Sequence, residues 1–133
     1  MALQMPMISA VLVVYFSLMG VLLTGLVIAK RIRLKVANGD GGKPEMNQAI
    51  RAHGNFCEQT PLALIEFIVA EVIGCPTLAL QILACLLVFA RVLAAWGISK
   101  TLGVSKQRFL GSLMTSVYNV SLALVILYSL LSR

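Results

Sequence analysis

Arg51, Asn55, Glu58 and Leu62 follow one another at intervals of four, three and four residues. On a helix advancing about 100° per residue, that spacing gathers them within a sector of roughly 60°. A guanidinium fork, an amide and a carboxylate then share one stripe over roughly 10 Å of helix axis. Two further arginines, Arg91 and Arg108, come later in the chain with few acids near them. An excess of fork-shaped donors of this kind forms a cationic pocket suited to an anionic ligand. The competing reading pairs Arg91 with Glu58, at comparable depth, as a buried ion pair that only fixes helix register. The charge imbalance favours the pocket.

The other ionisable groups separate from this stripe. Glu66 is turned about 60° from Arg51 and suits an interhelical hydrogen bond to Thr, Ser or a backbone carbonyl, while Glu71, nearer a helix end, can snorkel or cap. His53 points roughly 200° from Arg51, toward a neighbouring helix or subunit. One histidine with three scattered cysteines has no metal-ligand spacing, so no metal is expected. Cys57, Cys75 and Cys85 read as small apolar packers in a reducing compartment. Trp96 and Tyr128 near helix ends read as interfacial anchors. The Gly39 to Gly42 run has neither the preceding strand nor the Lys-Ser/Thr pair of a phosphate-cradling loop.

The elements that must position these residues are helices in a membrane. The 133-residue chain is 59% apolar and 12% charged with a mean hydropathy of +0.94, too apolar for a soluble, disordered or disulfide-stapled domain. Crossing the hydrocarbon takes about 20 residues of helix. Met7 to Ala29 and Phe109 to Leu131 are free of charge, and Pro76 to Gly97 carries only Arg91. A fourth helix, about Glu45 to Ile73, has a polar first half that contains the stripe. Its charges are costly, at least ~2.5 to 3.5 kcal/mol each at a helix centre, so they need partners or a wet cavity.

Turn chemistry separates the spans. Asn38-Gly39-Asp40-Gly41-Gly42-Lys43-Pro44 must be a loop, Gly74-Cys75-Pro76 a tight reversal, and Ile98 to Gln107, containing Gly103, the third connection. The sequence therefore predicts one all-α, integral membrane four-helix bundle. Met7 to Ala29 is too long and too weakly basic in front for a cleaved leader, so it reads as a retained helix. Lys30, Arg31, Arg33, Lys35 and Lys43 fall in the first connection and Lys100, Lys106 and Arg108 in the third, against Arg133 alone on the other side. Both basic connections should therefore face the cytoplasm and both termini away from it. The net charge of +6 reads as topology and contact with membrane lipid; no nucleic acid is expected.

The run Arg51-Ala52-His53-Gly54-Asn55-Phe56-Cys57-Glu58-Gln59-Thr60-Pro61-Leu62 resembles the second-helix signature of the MAPEG family, the membrane-associated proteins in eicosanoid and glutathione metabolism. The Gly39-Asp40-Gly41-Gly42 loop and Glu71 look like its bacterial branch, Phe89-Ala90-Arg91 in the third helix adds to the family likeness, and the resemblance covers nearly the whole chain. It implies a homotrimer of four-helix units in a bacterial inner membrane, with glutathione as co-substrate between adjacent subunits near the cytoplasmic face. Carried over by position, Arg51, Asn55 and Glu58 would bind the tripeptide, Glu58 through its amino group and Arg51 through a carboxylate. Arg91 is the matching third-helix arginine. Lys30 or Arg31 would reach a neighbour's ligand, His53 would make an intersubunit contact, and Arg108 would stabilise the glutathione thiolate. The reaction implied is transfer of that thiolate to a lipophilic electrophile, or reduction of lipid peroxides. Eukaryotic members have tyrosines where this chain has Gln59, Ala94 and Ile98, so an eicosanoid substrate is not expected.

Two other classes compete. A non-catalytic scaffold or assembly subunit would keep the fold and lack the chemistry. A small four-helix proton-coupled exporter would use Glu58 or Glu66 as its carboxylate; the first helix, where such exporters carry their acid, has none here, and Arg51 and Arg91 would repel cations.

Overall fold

A computed structural model of the protein describes residues 5–101, 103 and 105–132. Arg133, used above in the topology count, lies outside them, as do Leu102 and Val104 of the third connection. The described residues form four helices: α1 Met7–Leu34, α2 Pro44–Val72, α3 Thr77–Lys100 and α4 Lys106–Leu131. Three of the four, α1, α3 and α4, are long and apolar enough to cross a membrane. The fourth, α2, carries the polar first half read from the sequence and packs against all three others. The protein is an all-α membrane bundle.

Local chemistry sets the helix ends. α1 continues past Ala29 through its basic residues, because Arg31 and Arg33 in the last turn suit the negative end of the helix dipole. It stops at Lys35, which adopts the left-handed conformation with φ 54°. Lys43 Nζ then donates to the Leu34 carbonyl at 2.6 Å. α2 starts on Pro44 with Glu45 in its first turn, a proline and an acid where a helix N-terminus favours both. The α2–α3 reversal is as tight as expected: Gly74 has φ 78°, and the Gly74 and Cys75 amides donate back to the Glu71 and Ala70 carbonyls.

Phe16, Phe67, Leu80, Leu87, Tyr118 and Leu122 fill the centre. The broadest contact is between α3 and α4, followed by α1 with α2; α1 and α4 do not meet among the described residues. The outer side of α1 is bare hydrocarbon, with Val11, Leu18, Val21, Leu22 and Ile32 exposed, as lipid or another apolar surface requires.

Glu71 caps a different helix from its own. Its carboxylate accepts from the Ile8 amide at 2.8 Å, the Ser9 amide at 2.6 Å and Ser9 Oγ at 2.5 Å. A buried acid thus satisfies the free N–H groups that begin α1 and sits at the positive end of its dipole. Of the two roles the sequence allowed, capping is the one adopted. Glu71→Ala should lower stability by about 1–3 kcal/mol, since two amides and a hydroxyl lose their acceptor. An unchanged thermal midpoint in detergent would contradict this.

Candidate functional site

Arg91 is wholly buried, with 0% of its surface exposed. Its Nη2 donates to Asn55 Oδ1 at 2.6 Å and to the Asn55 carbonyl at 3.3 Å, and Nη1 donates to Thr115 Oγ1 at 3.3 Å. Thr115 passes its own proton to the Gly111 carbonyl at 2.8 Å. The Nε atom has no partner among the described residues, and no carboxylate there forms an ion pair with Arg91. The alternative in which Arg91 pairs with Glu58 is therefore corrected. Glu58 instead lies 3.6 Å from Arg51 on its own helix, both side chains about half exposed at 54% and 48%.

The division within the stripe has a simple cause. Arg51 and Glu58 lie two turns apart with Gly54 between them, and a side-chain carbon there would come within 3.9 Å of both charged groups. The ion pair passes over that bare glycine on the outer flank. Asn55 is rotated just far enough on the helix to face inward and meet Arg91. The stripe is thus two-sided: an anchored amide within, a half-exposed ion pair outside.

Arg108 lies in the first turn of α4. Its backbone amide donates to Ser105 Oγ at 3.1 Å, the helix cap. Its guanidinium has no partner among the described residues and lines an open groove of about 300 Å³ with Ser105, Phe109 and Ser112. The expectation that Arg51, Arg91 and Arg108 converge on one pocket does not hold within a single chain. Arg91 is walled in, Arg51 is paired on the α2 flank, and Arg108 lines a groove of its own. The backbone of Arg108 is pressed onto α3 at Gly97, where an added Cβ would lie 2.5 Å from the Arg108 amide nitrogen.

The remaining site residues are placed as follows. Lys30 lines a small cavity of about 150 Å³ with Gln48, Ala52 and Ser99, its Nζ 3.9 Å from Glu45, which also pairs with Arg33. Arg31 turns to its own loop, donating to the Val36, Ala37 and Gly39 carbonyls. His53 meets a neighbouring helix of the same chain: its Nε2 is 3.1 Å from Thr24 Oγ1 of α1. Glu66 does not make the interhelical bond expected of it; its Oε2 is buried without a partner among the described residues. Cys75 is buried as expected, whereas Cys57 and Cys85 are exposed, a correction to their reading as packers. Cys85 opens onto an apolar cleft between α1 and α3.

Sequence reasoning passed over Gly97 and Gly111. The signal was present: Ala90, Ala94 and Gly97 on α3 are small residues at helical spacing that let backbones approach, the first two against Gly111 and the third against the Arg108 backbone of α4. An apolar cleft of about 440 Å³ opens between α1 and α3, walled by Ile8, Val11, Leu12, Val88, Phe89 and Val92 among others. Its chemistry suits a lipophilic molecule entering from the bilayer.

A family model, the MAPEG family, matches residues 6–128. The chain is also 33% identical over 91 residues to the inner membrane protein YecN of Escherichia coli strain K12, covering 68% of this chain and 70% of that protein. The YecN protein of E. coli O6:H1 matches to the same extent.

Proposed function

Because this chain belongs to the MAPEG family, we propose that it binds glutathione in the membrane and joins its thiolate to hydrophobic electrophiles, or uses it to reduce lipid peroxides. The observation that carries this is the half-exposed Arg51–Glu58 pair beside an Asn55 held in place by Arg91. An exposed ion pair is worth only about 0–1 kcal/mol, so opening it costs little. A zwitterionic tripeptide replaces one internal pair by two: its carboxylate on Arg51 and its ammonium on Glu58.

The thiol then needs activation. A free thiol has a pKa near 8.5, about the ordinary cysteine value, and is mostly protonated at neutral pH. The Arg108 guanidinium, without a partner among the described residues, is the group assigned to favour the thiolate. That sulfur attacks the electrophilic carbon of a lipophilic substrate, a C–S bond forms and the leaving group departs; holding both reactants together supplies much of the acceleration. In a single chain Arg51 and Arg108 do not share a pocket, which supports a homotrimer in which the α2 flank of one subunit meets the α4 groove of the next. Lys30 serves the same intersubunit site; Arg31 is already occupied by its loop. The likeness to YecN supports a protein of a bacterial inner membrane, and the excess of Lys and Arg in the first and third connections supports an orientation with these toward the cytoplasm and both termini away from it.

Calorimetry on detergent-purified protein tests this. Saturable heat with glutathione is expected, weakened about tenfold or more by Arg51→Ala or Glu58→Ala, the loss of one charge-assisted contact. Absence of heat at millimolar glutathione would remove the proposal. Arg108→Ala should retain binding and lose thiolate absorbance; equal spectra would reject its role. A second reading, a scaffold that has lost the chemistry, is favoured by Ala94: it is fully buried with its amide nitrogen against Gly111, so no tyrosine hydroxyl fits there. That reading predicts binding without turnover, or an empty trimer.

A further inference from the structure

The three cysteines have different surroundings. Cys75 is buried, with its Sγ 3.9 Å from the Val125 carbonyl. Cys85 lines the apolar cleft between α1 and α3, with no polar partner among the described residues. Cys57 is exposed and sits one helical turn beyond His53 on α2, its sulfur 3.6 Å from Nε2 and 3.9 Å from Nδ1 of that imidazole. His53 is in turn held by Thr24 of α1. A nucleophile, a base and a group that orients the base are thus in contact across the α1–α2 seam.

The hydrogen bonds of Thr24 assign the proton on the ring. Thr24 Oγ1 donates its only proton to the Gly20 carbonyl at 2.9 Å, so toward His53 it accepts. Nε2 therefore carries the imidazole proton, and Nδ1, which lies 3.9 Å from the Cys57 sulfur against 3.6 Å for Nε2, keeps the lone pair that can take the thiol proton. We propose that Cys57, with His53 as its base and Thr24 fixing the tautomer, is a thiol–disulfide exchange site for small disulfides reaching this seam. It stands on this geometry alone and is independent of glutathione binding at Arg51 and Glu58.

In the step, the Cys57 thiol proton passes to His53 Nδ1 while its sulfur attacks one sulfur of the disulfide R–S–S–R. The R–S–S–R bond breaks and the Cys57–S–S–R bond forms. The leaving thiolate recovers the proton from His53 as R–SH. One disulfide is consumed and one is made, so no outside oxidant or reductant enters.

The test exposes the full-length protein in detergent micelles to dithiodipyridine, a neutral aromatic disulfide, and follows Cys57 and Cys85 separately by peptide mass mapping. Cys57 should react about a hundredfold or more faster than Cys85, at the low end of what a positioned base contributes. In His53→Ala the Cys57 rate should fall to about that of Cys85, and added imidazole should restore it, a rescue that a merely structural role would not give. Thr24→Val keeps the base but frees the ring; it should slow Cys57 several-fold, about the scale of one lost orienting hydrogen bond, and leave Cys85 unchanged. Equal rates for Cys57 and Cys85 in the unaltered protein would overturn the proposal. So would an unaltered Cys57 rate in Thr24→Val, a variant that remains informative even where His53→Ala perturbs the fold.

Discussion

Asn55→Leu is expected to destabilise the bundle more than any other single change in α2. Arg91 is a guanidinium with no exposed surface and no carboxylate partner among the described residues; its shortest hydrogen bond, 2.6 Å, goes to the Asn55 side chain. Removing that acceptor leaves a buried cation with one neutral hydroxyl and a backbone carbonyl. A hydrogen bond to a buried charged group is worth about 1.5–3 kcal/mol, and leaving the charge short of an acceptor costs at least that, a large share of the roughly 5–15 kcal/mol that holds a domain folded. The expected result is loss of monodisperse protein on extraction, or a sharply lowered thermal midpoint. Thr115→Val, removing only a 3.3 Å bond, should cost about 1 kcal/mol. The double variant Asn55→Leu/Arg91→Leu should recover much of the loss, because apolar groups of similar volume need no partners. An Asn55→Leu protein as stable as the parent would show that Arg91 draws its compensation from elsewhere. It would also leave Asn55 free to serve the ligand alone.

That interaction marks the boundary of what the sequence discloses. Three helices were readable because nearly uncharged runs end at basic residues, Gly or Pro, the polar α2 because two turn signals bound it, and the Gly74 to Pro76 reversal was readable from turn chemistry alone. The Arg51–Glu58 proximity follows from two turns of one helix. Arg108 at the start of α4 follows from the place where charge gives way to an apolar run. Arg91's partner does not follow, since a helical wheel orders residues around one axis and says nothing of how α3 is rotated against α2. Asn55 differs from Arg51 by only about 40° on the wheel, yet that rotation carries it from the outer flank to the interior. Arg31 was legible as a cation but not as the clasp of its own loop, because the carbonyls it holds belong to a backbone shape the composition does not encode. Glu71 was legible as a cap without its client: the amides of Ile8 and Ser9 are more than sixty residues away in sequence.

Gly111→Val is the second large effect, and its origin is backbone against backbone. A Cβ at Gly111 would stand 2.6 Å from the Ala94 nitrogen, 2.8 Å from the Ala90 carbonyl oxygen and 2.9 Å from the Ala94 Cα. No rotamer relieves such contacts; α3 and α4 must separate. Overpacking usually costs about 1–3 kcal/mol, and here the upper end or beyond is expected because the obstructing atoms are main chain. Separation also draws Thr115 away from Arg91, so the penalty compounds with the loss argued for Asn55. Gly97→Ala meets a different obstacle, the Arg108 amide at 2.5 Å and its Cα at 3.0 Å. Thermal midpoints should fall in both variants, but thiolate absorbance per bound glutathione should fall further in Gly97→Ala, where the displaced backbone is that of Arg108 itself. If the two variants lose thiolate signal only in proportion to folded protein, the tight α3–α4 contact supports the bundle without aiming Arg108. If Gly97→Ala loses more, the absence of a single methyl group on α3 is what sets the guanidinium in its groove.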